Sequence, residues 1–262
     1  MRLQGAVAIH RFTPRTADTD QLSMHTLRHH ALTELSAEGS EGHSMCSNVG
    51  GFHGARDLWQ RPAVQSTALP TLVGEAALRA ASYEAGKIGR TPISTRVSEA
   101  WFNALSPGGW NVLHTHPGAT YSGVLFLSDG GAVCADGGDG QGAATTERAL
   151  AGRLALIPCA PPSLSDDHRL HVRAAPADEA VELRFLLLDP TPGTYIMFPS
   201  FVPHFVLPVA GTAGNVPASR AEAVVPDGLR LAASREPTGL EVAFWTLRAR
   251  LSIALNYIGT SH

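Results

Sequence analysis

The sequence predicts an all-β core, a double-stranded β-helix (jelly roll) of two sheets, with N-terminal helices packed outside it. Three observations carry this. From Ile93 onward, short apolar runs rich in β-branched and aromatic residues alternate with Gly- and Pro-containing turns. Gly 26 and Pro 18 are high for 262 residues, and charged residues make up only 16%, as in a chain of many strands joined by turns and long loops. The two stretches with helical apolar spacing both precede Ile93.

Taken in order, residues 3–12 read as a first strand. Thr19 or Asp20 caps a helix running to about Leu35, with Leu22, Leu27, His30, Ala31 and Leu35 as rough apolar anchors. His25 and His29 are i,i+4 neighbours there, but no acidic residue sits between them as in a helical zinc motif, and solvated or capping roles suit them better. Ser36 to Asp57 reads as loop from its Gly and Ser content. Within it, Gly50-Gly51-Phe52-His53 reads as a turn that could border a pocket. Pro70 to Lys87 is an Ala-rich helix with Gly86 and Gly89 suited to its end. Strands follow at Ile93–Leu105, Val112–His116 and Tyr121–Ser128, split by Pro107-Gly108-Gly109 and Pro117-Gly118. Asp129 to Gly142 is a glycine-dense hairpin loop. Gly152–Pro158 and Val181–Leu188 are strands, and residues 159–178 between them, rich in Pro and charge, read as a surface insertion. Tyr195–Val209 is apolar and strand-like. Residues 211–239 form a second insertion, and Leu240–Ile258 closes the sheet as one long strand or two joined by a bulge. We expect one domain over 1–262: a strand and helical support region, 1–92, and the jelly-roll core, 93–262, carrying both insertions.

This length buries a sizeable core unaided. Lys+Arg 20 against Asp+Glu 23 gives a net charge of −3, and the basic residues form no run, so no nucleic acid or anionic membrane partner is expected. Cys46, Cys134 and Cys159 are odd in number and lack zinc-finger spacing, which argues against a disulfide scaffold. No run approaches a membrane span, and the N-terminus lacks the apolar length of a signal peptide. The expectation is a cytoplasmic protein, with organelle targeting and a homodimer left open.

The chemistry concentrates in Trp101 to Leu127, which contains His114-Thr115-His116, and in Tyr195 to Val209, which contains His204. Residues two apart on a strand point to one side, so His114 and His116 project together. A barrel brings a late strand beside an early one, so His204 supplies a third imidazole. Imidazole suits iron, zinc, nickel and copper, and a three-ligand face leaves positions open for substrate or oxygen. Two paired structural histidines are the competing reading of His-x-His alone. Arg250 lies in the apolar final strand, where a buried guanidinium is costly unless paired. A carboxylate ligand supplies the missing charge through a bidentate pair. Ser252, two residues on, faces the same side, and Arg248 competes for the role. Asn111 could hydrogen-bond metal-bound groups or that carboxylate ligand, and Tyr195 could line its pocket; turn and core roles compete for both. Trp101, Trp110, Phe198 and Phe201 read as packing residues.

These motifs resemble the iron(II)- and 2-oxoglutarate-dependent oxygenase superfamily, and most closely a largely uncharacterised group within it. The likeness rests on Ser47 to His53, on Trp101, Asn103, Gly109, Asn111 and His114-Thr115-His116-Pro117, and on Ser122-Gly123-Val124. It continues in Gly193, Met197, Phe198-Pro199-Ser200, His204 and Arg250 to Asn256, spanning roughly residues 45–257. It implies His114 and His204 as Fe(II) ligands, with no side-chain acid or base beyond them. It also implies Arg250 and Ser252 on the distal carboxylate of 2-oxoglutarate, and coupling of that acid's decarboxylation to oxidation, such as hydroxylation, of a small-molecule or peptide substrate. His116 departs from the superfamily, which has Asp or Glu there. Either it ligates, giving a three-histidine face, or it turns aside for water or another carboxylate, for which Asp129 and Asp136 in their glycine turns are poor candidates. The alternatives are a three-histidine cupin-like dioxygenase that does not use 2-oxoglutarate, and a non-catalytic metal- or ligand-binding jelly roll.

Overall fold

The computed structural model describes residues 10–12, 17–37, 47–88, 94–130, 150–157, 169–174, 181–209 and 249–260. In chain order these form β1 (His10–Phe12), α1 (Ala17–Ala37), β2 (Asn48–His53), a 3-10 turn (Leu58–Gln60) and α2 (Pro62–Gln65). There follow α3 (Leu69–Ile88), β3 (Ser94–His114), β4 (Tyr121–Phe126), β5 (Leu154–Leu156) and β6 (Arg169–Ala174). The last are β7 (Val181–Leu188), β8 (Tyr195–Pro199), β9 (His204–Val206) and β10 (Arg250–Thr260). The strands make one curled antiparallel sheet in the order β1-β8-β4-β10-β3-β9-β5-β7-β6, with β2 on β3. This is the expected jelly-roll half-barrel with the N-terminal helices outside.

The strict alternation of β10 explains how the sheet has two working faces. Leu251, Ile253 and Leu255 point outward to the helices, where they pack with Leu27, Ala31 and Leu32 of α1 and Val73, Ala76 and Ala80 of α3. Each fully buried Leu or Ile in this layer contributes roughly 1.5–3 kcal/mol. Arg250, Ser252 and Ala254 therefore point inward, where the curl of the sheet encloses Leu105, Phe126, Leu154, Leu156, Ile196, Phe198 and Val206. Two polar ties hold the helices to the sheet: Arg28 Nε donates to the Leu127 carbonyl at 2.6 Å, and buried Glu34 accepts from Arg61 at 2.6 Å and from the Ala55 amide at 2.8 Å.

Four expectations change. Residues 48–53, expected as loop, are strand β2, with Asn48 opposite Asn111 and His53 opposite Asn103; a ready edge on β3 overrides the poor strand propensity of the glycines. Pro107-Gly108-Gly109 does not end a strand. β3 runs through it and turns a corner there, with Gly108 at φ 81°. It pairs β10 as far as Leu105 and β9 from Asn111, with a register shift between Asn111 and His114. The stretch 159–178 contains β6, which forms a hairpin with β7. The Tyr195–Val209 stretch is two strands, broken at Ser200–Pro203. The expected first strand at 3–9, most of the 129–142 loop, the 211–239 insertion, and residues 240–248 of the closing strand with Arg248 lie outside the described residues. Among the described residues no helix is long and apolar enough to cross a membrane.

Candidate metal centre and ligand cavity

β3 and β9 pair antiparallel with His114 directly opposite His204, so both rings leave the sheet side by side, their centroids 4.2 Å apart. His116 follows two residues after His114, just beyond the strand end. Its backbone amide donates to the Ser200 carbonyl at 3.0 Å, which pins it across from β9. Its ring stacks on His204 at 5.1 Å and 9°. The three rings offer ligand atoms all within 4.8 Å of one another, the one such cluster among the described residues. His116 thus stays with the other two. Asp129, the acidic residue considered as a substitute ligand, is not part of the cluster; Asp136 lies outside the described residues.

The hydrogen bonds decide which nitrogens are free. His114 Nδ1 lies 2.8 Å from the Val112 carbonyl and His204 Nδ1 3.0 Å from the Val202 carbonyl. A carbonyl only accepts, so each Nδ1 carries the proton and each Nε2 presents a lone pair. Such a partner on the far nitrogen orients a metal-ligating imidazole. His116 Nε2 is 3.2 Å from His204 Nε2. Two nitrogens about 2.1 Å from one ion stand roughly 3.0 Å apart at a right angle and roughly 3.4 Å at a tetrahedral angle, so the spacing fits a shared ion. Burial, and then the positive potential of neighbouring groups, push His116 down to about 4 and His204 down to about 3; burial also lowers His114. All three rings are therefore neutral at physiological pH, as ligation requires.

Trp101 forms a shelf beside His116, at 5.8 Å between centroids, and His53 stacks on the same indole at 5.2 Å and 17°. His53 is buried, not the plain turn residue expected. Its stacking on Trp101 follows from β2 lying on β3, and the Gly- and Ser-rich composition hid that strand. Trp101 and Phe198 line the cavity, whereas Trp110 and Phe201, expected to pack, are exposed.

A cavity, open in part to solvent, lies between the three histidines and β10. Arg250, Ser252, Asn111 and Asn103 are on its wall; Tyr195 is not. Tyr195 shares a face with Met197 in the layer under the helices and hydrogen-bonds Tyr257 there. Its parity along β8 is opposite to that of Phe198, which faces the cavity.

Arg250 is 2% exposed. Its Nε and Nη2 have no hydrogen-bond partner among the described residues, and its guanidinium stands 5.0 Å from the Phe126 ring. Burial alone pushes its pKa down to about 9, and no carboxylate opposes that shift. It remains a cation at neutral pH, aimed into a cavity with nothing described to neutralise it. Asn111 is buried, its amide nitrogen donates to Asn48 Oδ1 at 2.6 Å, and its own Oδ1 has no partner among the described residues.

No curated protein matches the chain. A family profile described as "Putative 2OG-Fe(II) oxygenase" matches residues 99–219, the segment carrying all three histidines. Among solved structures, the non-heme alpha ketoglutarate dependent carbocyclase SnoK from nogalamycin biosynthesis matches at TM-score 0.50 and 13% identity, covering 96% of this chain and 79% of that one. A Pseudomonas putida prolyl-4-hydroxylase matches at TM-score 0.46 and 15% identity, covering 97% of this chain and 93% of that one. The chain thus resembles 2OG-Fe(II) oxygenases over residues 99–219, shares the curled-sheet fold of the SnoK structure, and sets into that sheet a histidine cluster that could hold a metal ion.

Proposed function

We propose that this protein is a metal-dependent oxygenase whose ion is held by three imidazoles and whose organic ligand is an acid paired with Arg250. The observation that carries this is an unpartnered, fully buried guanidinium in the same cavity as three convergent histidines. Three neutral imidazoles leave a divalent ion with its whole charge, one unit more than a set containing a carboxylate. The site therefore favours an anionic ligand from two directions, the metal face and Arg250. That donor set suits iron among other first-row metals.

A ferrous ion on this face would supply oxygen activation at its open positions. The chain's own part follows from the geometry. His114 and His204 are held in register by strand pairing and by their Nδ1–H bonds to Val112 and Val202, and the Trp101 shelf lies beside His116. Arg250 offers a planar fork that fixes the orientation of a carboxylate, with Ser252 beside it on the same strand face. Trp101, Phe198, Val206 and Leu154 wall the cavity with apolar surface and limit water.

A second reading makes 2-oxoglutarate that acid, consumed as cosubstrate beside a separate substrate. The orphaned Arg250 and the family match over 99–219 support it; the absence of a carboxylate from the ligand cluster counts against it. The deciding experiment loads the purified protein anaerobically with iron(II), titrates 2-oxoglutarate while recording the visible spectrum, then admits oxygen and follows its uptake. One iron per chain, lost in His204→Ala, with acid-dependent uptake lost in Arg250→Met, supports the main proposal. A saturable charge-transfer band with succinate formation moves the second reading ahead. Iron binding without oxygen uptake under any acid reduces the protein to a metal-binding jelly roll, and no stoichiometric metal sinks both readings.

A further inference from the structure

The cavity wall built by β3, the strand beside β10, carries an asparagine network whose polarity is fixed by the backbone. Asn48 Nδ2 donates to the Phe52 carbonyl at 3.0 Å and to Asn103 Oδ1 at 3.0 Å. A backbone carbonyl has no proton to give, so this end of Asn48 must be its amide nitrogen and the other end its oxygen. That oxygen receives the Asn111 amide nitrogen at 2.6 Å. Asn111 Oδ1 is then the remaining atom, an obligatory acceptor. It is buried, without a partner among the described residues, on a residue that lines the cavity. No flip of either amide relieves it, because each flip would set oxygen against oxygen along the network.

A buried acceptor left without a donor is destabilising, because it has given up water and gained no partner. A simple keto acid cannot relieve it: ionised at both carboxylates, it has no N–H or O–H to give. Arg250 and Asn111 therefore ask for different groups on a ligand. We infer that the substrate of this site is an organic acid that also bears a hydroxyl or N–H group, its carboxylate on Arg250 and its donor on Asn111 Oδ1. Asn48 is the positioning residue that fixes the direction of that acceptor. The inference rests on the acid-binding reading above.

The test uses three matched pairs of dicarboxylic acids that differ by one hydroxyl: succinate and malate, glutarate and 2-hydroxyglutarate, adipate and 2-hydroxyadipate. Dissociation constants are measured calorimetrically on the full chain loaded with redox-inert zinc(II), and again in chelator, where metal chelation cannot favour the hydroxyl. In at least one pair the hydroxy acid should bind about tenfold more tightly, with and without zinc. In Asn111→Ala the hydroxy acid should lose that advantage while its partner's affinity holds. Equal affinity within every pair, a preference seen only with zinc, or a preference that survives Asn111→Ala overturns the inference. If Asn111→Ala does not fold, the chelator measurement on the unaltered chain decides alone. Binding of all six acids that depends on Arg250 but ignores the hydroxyl defeats this inference only. Absence of any Arg250-dependent binding defeats the functional reading, and this inference with it.

Discussion

Replacing Arg250 with methionine should make the ligand-free protein more stable while destroying its affinity for acids. The guanidinium is 2% exposed, and two of its nitrogens have no partner among the described residues. Burial takes its pKa from 12.5 to about 9, which at about 1.4 kcal/mol per tenfold corresponds to roughly 5 kcal/mol of disfavoured charge. Methionine has similar reach, needs no partner, and packs against Phe126 and the Leu105 layer. Replacing buried ions by apolar groups of similar volume stabilises by about 1–4 kcal/mol. At roughly 2–4 °C per kcal/mol for a domain of this size, the melting temperature in chelator should rise by about 5 °C. A carboxylate that loses a buried charge partner should bind at least about thirtyfold more weakly, about 2 kcal/mol or more. Differential scanning calorimetry and acid titrations on the same preparations measure both effects. An Arg250→Met variant that melts lower than the parent and still binds glutarate as well would show that Arg250 holds the fold together and does not await a ligand.

Three further outcomes follow from the geometry. Metal-free protein should lose stability as the pH falls below 6.5, because the unfolded chain then protonates histidines that the fold keeps neutral down to about 4 (His116) and about 3 (His204); thermal melts in chelator against pH should show a flatter slope in His204→Asn. His116→Ala should lower metal affinity by at least about tenfold, the smallest loss typical of a mere supporting partner, without abolishing it, since His114 and His204 keep their backbone-fixed orientation; equilibrium dialysis with elemental analysis reads this, and full loss or no change contradicts it. Gly123→Ala would place a Cβ on the Tyr195 hydroxyl and should destabilise by about 1–3 kcal/mol, read as a lower urea midpoint with an unchanged slope.

The jelly roll and the shared side of His114 and His116 were legible because they rest on short-range periodicity. Alternation puts His114 and His116 on one side, and a polar residue inside an apolar strand marks Arg250. The same rule, applied through β8, puts Tyr195 with Met197 and away from Phe198, the side on which the structure places it. What was not legible depends on pairing across distance. Asn48 and His53 sit in a Gly-rich run with no strand periodicity, and only the edge of β3 orders them. The corner at Pro107-Gly108-Gly109 looks like a strand end in sequence, because the change of partner from β10 to β9 has no local signature. The unpartnered oxygen of Asn111 arises from a chain of amide orientations anchored at Phe52, which no spacing rule encodes.

The position of β10 also governs how the protein is made. β3 and β4 are neighbours along the chain, yet they do not pair with each other; residues 250–260 fill the gap between them, bonding Phe102 on one side and Leu125 on the other. Until that late segment leaves the ribosome, both strands present open edges, and the cavity lacks Arg250, Ser252 and its floor. Nucleation from the N-terminal side cannot complete the site, and long-range closure of this kind folds slowly. A metal ion or acid would then find the whole site only after residues 250–260 have been made and have paired with β3 and β4. Until β10 closes the gap, the exposed strand edges are where a chaperone would be needed and where aggregation would begin.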